Sequence, residues 1–198
     1  MGELGGTGVC VGLDEVGRGA LAGPLTVAAV ALPQQPQVIG LDDSKKLSPK
    51  RREQLAGQVA EVALGIGIAH IPPEDIDVAG MAASLRVAFS RALRACEQDM
   101  AARGGPARAD AVLLDGKPLH IREGELSVVG GDGRVACIAA ASIVAKVTRD
   151  EAMCAYAAEH AGYGWEANKG YGTAAHIAAI RELGPSELHR RSFLGNIL

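Results

Sequence analysis

VCVGLDEVGRG, Val9 to Gly19, is the stretch on which the reading of the fold turns. Val9, Val11 and Leu13 alternate with Cys10, Gly12 and Asp14, a period of two that predicts a strand ending at or just past the acidic pair Asp14-Glu15. Gly19, Gly23 and Pro24 then supply turn chemistry. TVAAVAL, Thr26 to Leu32, follows as a second strand, so the two runs read as an antiparallel pair.

Working outward, Ser48-Pro49 is a helix start, after which Leu55, Val59 and Val62 share one helical face. Ile66 and Ile68 before His70 read as another strand. Met81, Leu85, Phe89, Ala92 and Cys96 recur at helical spacing until Gly104-Gly105-Pro106 ends the helix. AVLLD, Ala111 to Asp115, is a buried strand. From Ile138 to about His160 the pattern is that of an amphipathic helix, with Ser142, Lys146, Arg149 and Asp150 opposite the apolar face. A glycine-rich stretch runs to Thr173, followed by a helix to Leu183 and a short basic tail. Strands first and mixed elements after predict an α/β fold, a central mixed sheet flanked by helices. The pattern leaves the topology open, and no repeat or linker divides residues 1–198 into more than one domain.

With 48% hydrophobic and 22% charged residues, the 198-residue chain can bury a sizeable core. Aromatics make up 3%, so that core must be built from Ala, Val, Leu and Ile. No apolar run approaches the ~20 residues that span a bilayer, and MGELGGTG lacks the basic and apolar regions of a secretory signal; a cytoplasmic protein with no membrane role is expected. Cys10, Cys96, Cys137 and Cys154 include no C-x-x-C pair, and reduced, mostly buried thiols are expected. A net charge of −3 excludes a strongly basic coat for nucleic acid. The local clusters Lys45-Lys46, Lys50-Arg51-Arg52 and His189-Arg190-Arg191 could still hold phosphates, although such clusters are usually solvated surface.

Adjacent Asp14 and Glu15 at a strand end are costly to bury unless something positive joins them. A glycine-rich loop with one arginine, Gly17-Arg18-Gly19, follows at once, and such a loop lets a ligand approach the backbone. A dinucleotide fingerprint fits poorly, because Pro24 and a strand follow the glycines where a helix should begin. Asp115 closes an apolar strand before Gly116; alone it is better read as a turn-starting residue. Asp132, in GGDG, could equally be a helix cap.

Six runs in order resemble ribonuclease HII: GLDEVGRG (Gly12 to Gly19), DSKKL (Asp43 to Leu47), LLDG (Leu113 to Gly116), GGDGRV with AAASIVAKVTRDE (to Glu151), NKGYGT (Asn168 to Thr173) and HRRSF (His189 to Phe193). The resemblance covers roughly 9–193. It implies an RNase H-like fold, a mixed five-stranded sheet flanked by helices with a small C-terminal helical part, and a single nuclease domain. It also implies an acidic quartet at Asp14, Glu15, Asp115 and Asp132 that binds two divalent ions, Mg²⁺ or Mn²⁺, while Asp150 lies outside the quartet. Gly17, Arg18 and Gly19 match residues that contact the ribonucleotide and its phosphate, and Tyr171 one that packs on the neighbouring sugar. Lys45, Lys46, Ser142 and Lys146 match positions lining the site or the substrate backbone. The chain ends five residues past Phe193, so no appended partner-binding tail is expected.

The expected partners are RNA/DNA hybrids and DNA duplexes that contain ribonucleotides. Only the 2′-OH separates ribose from deoxyribose locally, and backbone groups of a glycine-rich loop can read it at close range. Two other readings stay open: a DNA-resolving nuclease with the same carboxylates and no concern for the 2′-OH, and a non-catalytic duplex-binding module.

Overall fold

The computed structural model describes residues 8–35 and 38–198, so the reading of the first seven residues falls outside the described residues. β1 (Cys10–Val16) and β2 (Leu25–Ala31) pair antiparallel across the loop 17–24. α1 (Pro49–Val62) starts at Ser48, whose hydroxyl accepts the Arg51 N–H, and leads into β3 (Gly65–Ile71), antiparallel to β2. α2 (Pro73–Ala79) and α3 (Met81–Ala102) precede β4 (Ala111–Asp115) and the three-residue β5 (Leu126–Val128), which extend the sheet in parallel beyond β1. α4 (Ala136–Glu159), α5 (Trp165–Asn168) and α6 (Ala174–Leu183) complete the order. The sheet runs β3-β2-β1-β4-β5. This is the expected mixed five-stranded sheet flanked by helices.

All seven residues of β2 are buried, because helices cover both faces of the sheet there. Val11, Leu13, Val27 and Ala29 pack against Leu85, Phe89 and Cys96 of α3 on one face. Ala28 and Val30 pack against Leu55 and Val59 of α1 and Ile138 and Ala141 of α4 on the other. Few aromatics are needed because the layers lie close. A Cβ on Gly12 would come within 2.3 Å of the Cys137 carbonyl carbon, so only glycine lets α4 lie against β1.

β3 is the strand expected around Ile66 and Ile68; within it Gly65, Gly67, Ala69 and Ile71 are buried while Ile68 is exposed, and α3 approaches Gly65 and Gly67 too closely for larger side chains. Other expectations need correction. The first half of α4 is buried all round, from Cys137 to Ala145, rather than on one face. Ser142 and Arg149, assigned to its polar face, are buried. His189 and Arg190 are also buried, so the basic tail is not solvated surface, although Arg191 is exposed. Cys96 and Cys137 are buried, whereas Cys154 is exposed. Periodicity did not mark α2, α5 or β5. Among the described residues no helix is long and apolar enough to cross a membrane.

Candidate active site

Parallel pairing of β1 with β4 sets Leu13 opposite Leu114, so the next residues, Asp14 and Asp115, emerge side by side toward the C-terminal ends of two interior strands. Asp132 arrives from a 3₁₀ turn, Gly131–Gly133, just after β5. That turn is tied to β4 by the Gly131 N–H, which donates to Asp115 Oδ1 at 2.7 Å. One carboxylate oxygen each from Asp14, Asp115 and Asp132 lies within 4.8 Å of the others. Glu15 stands beside this trio rather than in it, 3.6 Å from the Arg18 guanidinium and close enough to Asp115 to feel its charge.

Burial, reinforced by Glu15 and Asp115, pushes the Asp14 carboxyl up to about 7 despite a Ser142 hydrogen bond that favours its charge. Burial also raises Glu15, with Arg18 opposing and Asp115 adding to the shift. Lys45 is the cation facing the trio, with its ammonium 3.5 Å from Asp132. Partial burial works against that ammonium, but Asp43, Asp132 and Asp14 outweigh it and raise its pKa. Three carboxyl oxygen donors gathered beside the Lys45 ammonium make a site that favours added positive charge. Such a set fits a hard divalent cation such as Mg²⁺ or Mn²⁺.

The cleft lined by Asp14, Glu15 and Asp115 is walled by Gly17, Arg18, Gly19, Lys45, Lys146 and Tyr171, all singled out in the sequence, and Ser142 also lines it. Arg18 and Gly19 are exposed at the loop tip, whereas Gly17 is buried. The Gly17 N–H donates to the Tyr171 hydroxyl at 3.2 Å, joining loop and ring across the chain. Lys146 donates to Asp150 at 2.7 Å, and Arg52 lies 3.9 Å from the same carboxylate, so Asp150 anchors cations outside the acidic trio. Lys46 does not line the cleft: it pairs with Asp42 at 3.0 Å.

Three residues have structural roles that the sequence reading did not assign to them. Ser44 is buried, lines the cleft and shares a 2.9 Å hydrogen bond with Ser142. Its position inside DSKKL was the available signal. Arg149 is fully buried and donates to the carbonyls of Pro24 (2.8 Å), Lys169 (2.9 Å) and Ala22 (3.0 Å), with its guanidinium over the Tyr171 ring. Arg190, also fully buried, donates to the carbonyls of Gly23 and Arg18. Two planar forks thus satisfy the Arg18, Ala22, Gly23 and Pro24 carbonyls of the loop. Burial lowers the pKa of both, that of Arg190 to about 9, with Arg149 adding repulsion.

A family model described as ribonuclease HII matches residues 11–195. Ribonuclease HII of Moorella thermoacetica is 48% identical over 183 residues, covering 92% of this chain and 84% of that one. Ribonuclease HII of Bacillus subtilis is 41% identical over 182 residues, covering 92% of this chain and 68% of that one. The crystal structure of ribonuclease H2 from Pyrococcus horikoshii OT3 has the same fold, with a TM-score of 0.77 at 21% identity over 96% of each chain. A structure of ribonuclease HIII solved in complex with Mn²⁺ aligns at a TM-score of 0.68 and 21% identity, covering 94% of this chain and 67% of that one. The chain therefore belongs to the ribonuclease HII family and is an endonuclease of the ribonuclease H type, a hydrolase that cuts the RNA strand of RNA/DNA hybrids.

Proposed function

We propose that the chain also incises duplex DNA on the 5′ side of a single embedded ribonucleotide, leaving 3′-OH and 5′-phosphate ends. Asp14, Glu15, Asp115 and Asp132 hold two divalent ions in this reading. The observation that carries it is the convergence of three carboxylate oxygens, from Asp14, Asp115 and Asp132, within 4.8 Å, two of them from residues that line a cleft walled by a glycine loop and Tyr171.

Bound divalent ions would neutralise charge on the scissile phosphate and supply an activated water. The protein's own residues do the rest. Asp14, nearly buried and held by Ser142 and the Glu15 N–H, presents a fixed oxygen, as does Asp115 through Gly131. Lys45 and Lys146 offer ammonium groups to the phosphates, while Arg18 and Gly19 bring exposed backbone to the ribose. Tyr171, fixed by Gly17 and Arg149, offers a ring face to the next sugar. With water as nucleophile the 2′-OH is a recognition element only, so no cyclic phosphate forms.

Mn²⁺ in a ribonuclease HIII of similar fold supports the choice between Mg²⁺ and Mn²⁺ as metal. A complex of PCNA with ribonuclease HII from Archaeoglobus fulgidus makes a replication clamp one class of partner to test. A cytoplasmic location suits an enzyme that acts on such duplexes.

Asp115→Asn tests the assignment: the substitution keeps shape and removes charge. The expected result is loss of cleavage with substrate binding retained. Near-normal cleavage in ordinary Mg²⁺ would remove Asp115 from the site.

A further inference from the structure

A second groove opens on the other side of Asp115. Glu15, Arg18 and Asp115 belong to both this groove and the cleft that holds Tyr171, so the two meet at the carboxylates. Its walls come from the first turns of α3 (Met81, Leu85, Arg86) and from the segment just after β4 (Lys117, Leu119). Leu85 is buried and Met81 and Leu119 are half-buried, giving an apolar floor. Arg86 and Lys117 are exposed, and among the described residues neither has an ion-pair partner.

Two unpaired cations above an apolar floor, continuous with a site for phosphodiester hydrolysis, match a nucleic-acid strand: phosphates outward to the cations and sugars toward the floor. An acidic peptide would satisfy the cations equally, but it has no reason to run into a cluster of carboxylates that needs metal and phosphate to be occupied. A substrate strand must pass through that cluster and leave on both sides. The cleft with Lys146 and Tyr171 lies on one side of the carboxylates and the groove with Arg86 and Lys117 on the other.

We propose that this groove holds the arm of the substrate on the far side of the carboxylates from Tyr171, with Arg86 and Lys117 contacting backbone phosphates. The inference rests on the reading of the carboxylate cleft as the cutting site. Both residues lie outside the reacting centre, so they set affinity and its salt dependence rather than the chemical step.

The experiment compares the parent with Arg86→Ala, Lys117→Ala and the double variant. Binding to a duplex with one central ribonucleotide is measured from low to moderate salt in Ca²⁺, and cleavage in Mg²⁺. Removing one cation from its phosphate lowers the slope of log affinity against log salt by about 0.9, so the double variant should have a slope smaller by about 2. Its affinity should fall several-fold at low salt, with kcat at saturating substrate unchanged. Trimming one duplex arm should erase the difference between parent and double variant, while trimming the other should leave it. An unchanged slope, or a weakening that survives both truncations, overturns the groove assignment. Failure of the parent itself to cut the ribonucleotide duplex would instead overturn the reading of the cleft. Circular dichroism on the variants separates misfolding from weakened phosphate binding, and Arg86→Lys should restore the slope because a point charge suffices for a phosphate.

Discussion

Gly17 and Arg149 occupy one another's space: a Cβ on Gly17 would fall 2.2 Å from Arg149 Nε. Gly17 also sits at φ +86°, where an L side chain is strained. The loop that presents Arg18 and Gly19 is therefore locked to α4 by a glycine that cannot be replaced without moving a fully buried guanidinium. Gly17→Ala should remain folded but cost about 1–3 kcal/mol of stability, measured by urea denaturation. It should also lower cleavage of a single-ribonucleotide duplex by ~10²-fold through displacement of the loop. Wild-type turnover in Gly17→Ala would mean that the loop position is not needed.

Arg149 acts through what it holds. Its three donors reach three carbonyls of two segments that carry Gly17 and Tyr171. Lysine keeps the charge but cannot reproduce that planar fork. Arg149→Lys should lower kcat more than it raises KM on the ribonucleotide duplex, with a Tm several degrees below the parent. A fall in Tm with unchanged kcat would make Arg149 purely a stabilising residue.

Tyr171 makes two separable contributions. Its hydroxyl accepts from Gly17, and its ring lies beneath Arg149 and beside the cleft. Tyr171→Phe should keep most activity because the ring remains. Tyr171→Ala should lose ~1–3 kcal/mol of transition-state stabilisation at a lone ribonucleotide, the usual worth of a stacked aromatic. Equal activity of the two variants would place the function in the hydroxyl or nowhere in the side chain.

Asp14 couples stability to pH. Burial raises its pKa from an ordinary 3.8 to about 7, so the metal-free fold binds this proton more tightly than the unfolded chain. That contribution is complete below about pH 3.8 and is lost as pH rises through 7. Asp14→Asn, with no charge to bury, should melt above the parent at pH 8 in EDTA, by roughly 2–4 °C for each kcal/mol relieved. It should also be inactive. Added Mg²⁺ should stabilise the parent and not the variant; a variant less stable than the metal-free parent at pH 8 would contradict the burial argument.

Much of this was legible in the chain. Alternation through Leu13 and the apolar run to Leu114 located Asp14 and Asp115 at or near strand ends, and Ser48-Pro49 marked the start of α1 to the residue. What periodicity could not say is that β1 and β4 are parallel neighbours, which alone brings the two aspartates together. β5 has three residues, two of them exposed, too short and too polar to show a period. The buried arginines were hidden for a different reason. Pattern reading sends charge to water, and it fails where glycine-rich loops leave carbonyl oxygens inside the protein, as at Gly23 with Arg190 and Ala22 with Arg149.

In the proposed reaction this cleft cuts by water attack beside a 2′-OH that it reads. End-labelled duplexes carrying ribose, deoxyribose or 2′-methoxyribose at one position, incubated with enzyme and Mg²⁺ and resolved on a gel, test it directly. A single cut 5′ of the ribose with 3′-OH and 5′-phosphate ends is expected, with strong suppression for the other two sugars, because loop groups that meet the hydroxyl would be left unpaired or crowded. Equal cutting of ribo and deoxy duplexes, or 2′,3′-cyclic phosphate ends, would contradict it.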